Sequence, residues 1–181
     1  MREGRAKNND DMEERETEEG KGDGNVFEML KSDHRHVQDL FTTFEDADKR
    51  TRASIAEETL TALEVHASLE EELVYPAIAE VIDDEETVNE AKEEHHVAKL
   101  LMKELHKMDA GDEGFATKFK VLGELVGHHI EEEEGEMFPQ AEEGGFEPES
   151  LFEEASKRKA KLMQKYEGGK KSSGSRRKKA A

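Results

Sequence analysis

Apolar side chains recur along this chain at alternating steps of three and four residues, the spacing that keeps them on one face of an α-helix. One such stripe, Phe27, Leu30, Val37, Phe41 and Phe44, predicts a helix over about 25–47 with Asn25 as its N-cap. Leu60, Leu63 and Leu73 predict a second over about 53–75, bent or ended by Pro76. Val88, Ala91, Ala98, Met102 and Leu105 predict a third over about 84–108, capped by Asp83 or Asp84 and followed by the turn DAGDEG. Phe115, Phe119, Leu122 and Val126 predict a fourth over about 114–137, closed by Pro139. A weaker stripe, Leu151, Phe152, Ala155, Leu162 and Tyr166, marks a fifth helix over about 149–166.

No stretch alternates with the period of two that a strand requires, and the connections between helices are short. The expected fold is all-α: an antiparallel up-down-up-down four-helix bundle over residues 25–166, with a short C-terminal fifth helix. Residues 1–24 have no apolar face and read as a disordered acidic leader, and residues 167–181 as a disordered basic tail.

Every main stripe is interrupted at mid-height by polar groups: His34, then His66 with Glu70, then His95, then His129 with Glu133. Antiparallel packing brings those mid-heights together, so the four histidines should converge. An unpaired buried carboxylate costs several kcal/mol, and six polar groups at one level would cripple a bundle of this size unless a cation sat among them. Residues i and i+4 share a helix face, so each His-x-x-x-Glu pair directs two ligands into one cavity. The pair is duplicated: HASLEEELVYP at 66–76 and HIEEEEGEMFP at 129–139 are 63 residues apart. Tyr75 and Phe138 occupy equivalent positions in the two copies and are expected to cap the core.

Composition narrows the chemistry. Cysteine is absent, which removes disulfide scaffolds, thiolate zinc sites, iron–sulfur ligation and cysteine nucleophiles. Four imidazoles with two carboxylates are too rich in nitrogen for calcium or magnesium and too numerous for one tetrahedral zinc. They suit two first-row ions bridged by the carboxylates, with iron preferred over manganese or zinc. The His-Glu-x-x-His motif of zinc proteases is missing, and the residues three before the four histidines, Lys31, Leu63, Lys92 and Val126, exclude the Glu-x-x-His of ferritin-like sites. His36, His96, His106 and His128 point off the stripes and are expected at the surface or beside the ligands rather than on the metal. Glu71, Glu72, Glu131, Glu132, Glu134 and Glu136 are expected on solvated faces, with one of them available as an extra ligand or to accept an imidazole N–H.

Over about residues 25–141 the chain resembles the hemerythrin-like, HHE cation-binding domains. The resemblance rests on DHRHV with His34, HASLEEELVYP with His66 and Glu70, EEHHVAKLL with His95, and HIEEEEGEMFP with His129 and Glu133. It implies a four-helix bundle around a non-haem di-iron centre, oxo- or hydroxo-bridged, with Glu70 and Glu133 as bridges and two histidines per iron. Oxygen-carrying hemerythrins have a second histidine four residues after the one on the third helix, and here Lys99 stands there. The resemblance therefore implies an iron with an open position rather than a reversible oxygen carrier.

Charge adds the surroundings. The chain carries a formal −19, divided very unevenly: residues 157–181 hold 11 Lys/Arg against 1 Asp/Glu, while residues 1–24 hold 5 against 9. The basic tail fits loose phosphate contacts, but the acidic body repels nucleic acid, so folding back onto the bundle is the preferred use. No apolar run reaches the roughly 20 residues needed to span a bilayer, and a cytoplasmic protein is expected. The expected function is reaction with a small oxidant, hydrogen peroxide, dioxygen or nitric oxide, with peroxide decomposition preferred. A non-catalytic module that binds or senses oxygen or iron is the alternative.

Overall fold

The computed structural model describes residues 24–82 and 85–177, the side chains of 85 and 167–177 excepted. The expected caps Asp83 and Asp84, nearly all of the expected leader and the last four residues lie outside the described residues. Seven α-helical segments follow in order: α1 (Val26–Asp46), α2 (Lys49–Leu69), α3 (Tyr75–Ile78), α4 (Glu85–Leu105), α5 (Phe115–Glu132), α6 (Phe138–Glu143) and α7 (Pro148–Arg177). No strand occurs among the described residues, and no helix there is long and apolar enough to cross a membrane.

Local chemistry explains the boundaries. Asn25 caps α1 by accepting from the Phe27 and Glu28 amides at 2.8 and 3.1 Å. Asp48 does the same for α2 at Arg50 and Thr51, starting that helix about four residues earlier than its apolar stripe suggests. Gly114, at φ +84°, opens α5 in a conformation that side chains resist.

Pro76 and Pro139 do not end their helices. Each is preceded by one π-helical turn, Glu70–Val74 and Glu133–Met137, and each then sits in the first turn of the α-helix that follows. Tyr75 N–H reaches the Glu70 carbonyl and Phe138 N–H reaches that of Glu133. Proline lacks the N–H for an α-helical bond and its ring crowds the carbonyl four residues back; the wider turn supplies the slack. Both π turns begin on the glutamate of a His-x-x-x-Glu pair.

The core is split by the polar level. One apolar cluster is built around Phe27, Leu30, Leu69, Ile78, Met137 and Phe138, and the other around Phe44, Leu60, Met102, Phe119 and Leu122. Between them lie the buried polar residues His34, His66, Glu70, His95, His129 and Glu133. α1 packs on α2 and α4 on α5, and the two pairs close on each other. The fifth helix is longer than expected: α7 covers 149–166 and continues to Arg177. α7 lies against α1 and α2, burying Ala155 and Leu162, and is tied down by Arg158 on Glu72 and Lys159 on Asp33, each at 2.5 Å.

Candidate metal centre

All six sequence-predicted residues meet at the waist of the bundle. His34 on α1 and His66 on α2 bring their Nε2 atoms to 3.0 Å, and His95 on α4 and His129 on α5 bring theirs to 3.1 Å. Glu70 lies between the pairs, one oxygen 2.9 Å from His66 Nε2 and the other 3.4 Å from His95 Nε2. Glu133 answers from the opposite side, 3.3 Å from His34 Nε2 and 3.6 Å from His129 Nε2. None of the six is more than 7% exposed, and both glutamates are at 0%. Two overlapping groups with metal-ligand spacing result: His34, His66, Glu70 and Glu133, and Glu70, His95 and His129.

Three of the four outward nitrogens are braced. His34 Nδ1 meets Glu134 at 2.7 Å, His95 Nδ1 meets Glu71 at 3.0 Å, and His129 Nδ1 meets Glu94 at 2.8 Å. Asp33 stands 3.6 Å from His66 Nδ1, too far for a hydrogen bond. A carboxylate on Nδ1 holds the proton there and leaves the Nε2 lone pair facing inward, the tautomer a metal ligand needs. Two such lone pairs, on His95 and His129, lie 3.1 Å apart and repel unless a cation, a proton or a metal ion, lies beside them.

The duplication is visible in space. Asp33–His34 on α1 corresponds to Glu94–His95 on α4, and His66, Glu70, Glu71 correspond to His129, Glu133, Glu134. His34 in one half is braced by Glu134 of the other, and His95 by Glu71, so neither half is complete alone. Symmetry fails at the aromatic position. Tyr75 donates its hydroxyl to Glu133 Oε1 at 2.8 Å and lies within 3.4 Å of His95 and His129 Nε2. Phe138 instead stacks on His34, with ring centroids 6.3 Å apart. Tyr75, expected to cap the core, is fully buried yet also brings a phenol into the centre. The duplicated aromatic–proline ending marked its position and showed that only the first copy carries a hydroxyl; that the hydroxyl turns inward to Glu133 is seen only in the fold.

Electrostatics fit a cation. Burial lowers the proton affinity of His66 and His95, but Glu70 and its neighbours more than offset this and hold the metal-free imidazoles at about 10 and about 9. Glu70 is pushed up by burial and pulled well below its ordinary range by His66 and His95. Burial and the surrounding carboxylates hold Tyr75 well above its ordinary value, so its phenol stays protonated. Both oxygens of Glu70 and one of Glu133 are buried without a hydrogen-bond donor among the described residues. Unpaired buried carboxylate oxygens are expensive, and inward nitrogen and oxygen lone pairs around them are the donor set of a first-row metal ion. The residues present fit the group.

Lys99 is not part of that donor set. Its ammonium lies 2.5 Å from Glu71 and its side chain is 42% exposed. Of the surface glutamates, Glu71 and Glu134 rather than one alone serve the histidines, joined by Glu94. His36 and His128 are exposed, as expected, and His106 pairs with Glu64 at 3.0 Å.

A helical bundle with a buried His/Glu cation site at its waist is the class that fold and site define. The chain belongs to the hemerythrin HHE cation binding domain family, whose model matches residues 25–141. It is similar to the crystal structure of a hemerythrin HHE cation binding domain-containing protein, the Rv2633c homolog from Mycobacterium kansasii. The TM-score is 0.66 and the identity 24%, over 81% of this chain and 89% of that one, a likeness of fold. A curated relative, a DNA nickase from Nostoc sp. (strain PCC 7120 / SAG 25.82 / UTEX 2576), is 25% identical over 119 residues. Those residues are 65% of this chain, which spans about a third (34%) of that relative's length.

Proposed function

We propose that the protein holds two iron ions, one between His34 and His66 and one between His95 and His129, bridged by Glu70 and Glu133, and reacts there with a small oxidant. The observation that carries this reading is the division of both glutamates: each turns one oxygen to the first histidine pair and the other to the second. Bound iron supplies a redox change and an open coordination position.

The chain's own residues do the rest. The outer carboxylates fix the imidazoles in one tautomer and orientation. Tyr75, kept neutral, holds a proton on Glu133 Oε1 at the edge of the second histidine pair. A cavity of about 30 Å³ reaches the four histidines between Val37, Leu63, Met102 and Val126. It has room for a molecule the size of water or peroxide, and its apolar walls exclude larger reductants. A DNA backbone cannot reach side chains this deeply buried, so strand nicking is not proposed for this centre.

Peroxide decomposition, two H2O2 giving O2 and two H2O, is the preferred chemistry. Addition of peroxide to iron-loaded protein should release oxygen over many turnovers, and the release should vanish in Glu133→Ala. A stable, reversible oxygen adduct without turnover would instead favour a sensing module. That second reading draws on the contact of Lys159 on α7 with Asp33 beside His66, which ties the C-terminal helix to the centre.

A further inference from the structure

Three of the four outer carboxylates have a permanent cation. Arg35 grips Glu134 with two guanidinium hydrogen bonds at 2.8 and 2.6 Å, Lys99 sits on Glu71, and Lys159 of α7 sits on Asp33. Glu94 is the exception: no lysine or arginine among the described residues lies within ion-pair distance of it. Its Oε2 is used by His129 Nδ1 at 2.8 Å, while Oε1 faces His128 Nε2 at 3.8 Å. His128 Nε2 also lies 3.2 Å from Glu132, one turn further along α5. Glu94, His128 and Glu132 each offer one ligand atom, all within 4.8 Å of one another.

Asp33 and Glu94 are equivalent in the duplication, so the position that Lys159 fills in one half has no fixed positive charge in the other. Glu90, Glu94 and Glu136 all act on the Glu132 carboxyl, which is raised by desolvation and by these neighbours. Glu94 also lines the cavity that leads to the buried histidines.

We propose that Glu94, His128 and Glu132 form a second, surface cation site that takes a first-row divalent ion beside the Glu94 wall of this cavity. One imidazole and two carboxylates from two adjacent helices, with water completing the shell, suit Fe2+, Mn2+ or Zn2+ rather than Ca2+. An ion here shares Glu94 with His129 Nδ1, the outward nitrogen of a histidine of the centre, and is handed on from the Glu94 wall of the cavity. The binding half of the inference stands without the di-iron reading; the hand-over half rests on it.

Zn2+ is the probe, because it is redox-silent and leaves the iron spectrum undisturbed. Titrated by calorimetry into iron-loaded full-length protein, it should bind at one site per chain. His128→Ala and Glu132→Gln should each abolish that event with iron content unchanged. In stopped-flow loading of apo protein with Fe2+, His128→Ala should fill at least about fivefold more slowly and reach the same final occupancy. Zn2+ binding to iron-loaded His128→Ala as to the wild type would overturn the site, and equal loading rates would overturn the hand-over. If the protein proves unable to take up iron, His66→Ala with Glu133→Ala serves as the background. Loss of Zn2+ binding on adding His128→Ala there supports the site, and its retention refutes it.

Discussion

Lys99 sets its ammonium 2.5 Å from the Glu71 carboxylate, and the same carboxylate meets His95 Nδ1 at 3.0 Å. The lysine thus acts on the centre through two intermediaries and supplies no ligand itself. Removing the carboxylate while keeping its shape should loosen His95: Glu71→Gln is expected to weaken metal binding about 10- to 100-fold, the usual cost of losing such a partner. Lys99→His should give no extra ligand and leave iron content unchanged. Competition with a chelator of known affinity measures both; an unchanged affinity in Glu71→Gln would remove the bracing role.

Glu71 also sets a pH dependence. The hydrogen bond from His95, with Lys99 beside it, pulls its carboxyl from an ordinary 4.5 to about 2. A depressed folded-state value means stability that is present above about pH 4.5 and is lost as pH falls from there toward 2. Metal-free wild type should lose urea resistance over that window more steeply than metal-free Glu71→Gln. Parallel curves for the two proteins would contradict the coupling.

Tyr75→Phe removes the phenol that donates to Glu133 Oε1 at 2.8 Å and leaves the ring in place. A hydrogen bond to a charged group contributes about 1.5–3 kcal/mol, so the metal-free variant should be less stable by about that amount. Phe138 in the equivalent position has no hydroxyl, and Phe138→Leu should cost packing alone. Equal unfolding midpoints for wild type and Tyr75→Phe would show that the bond is not formed in solution.

The fold and the six inward residues were legible in the sequence because both depend on helical periodicity. A histidine or glutamate at the centre of an apolar stripe has one direction to point, and four such stripes in an antiparallel bundle have one level at which to meet. The bracing acids were less legible, since Glu71, Glu94 and Glu134 each neighbour an inward residue in sequence but hold a histidine on another helix. The π turns were misread as proline stops: a missing N–H tells that an α-helical bond is lost, not that a wider turn absorbs it. The extent of α7 was hidden by glycines whose local preference does not set the end of a helix.

Iron should stabilise the protein, because Glu70 and Glu133 are fully buried carboxylates and a metal ion among them binds the native state alone. Binding to the native state alone adds about 4 kcal/mol at a thousandfold excess over Kd. At about 2–4 °C per kcal/mol for a chain of this size, the melting temperature should rise by roughly 8–16 °C. Calorimetric scans of chelator-treated and reloaded protein decide this, and coincident transitions would contradict it.

The central claim is that one chain holds two irons in a single centre, and iron analysis of the reconstituted protein tests it most directly. The account predicts about two irons per chain in the wild type, with strong loss in His66→Ala and in His129→Ala, since each deletes one ligand from a different half. Full iron occupancy in the protein carrying both substitutions, or no bound iron in the wild type, would contradict it.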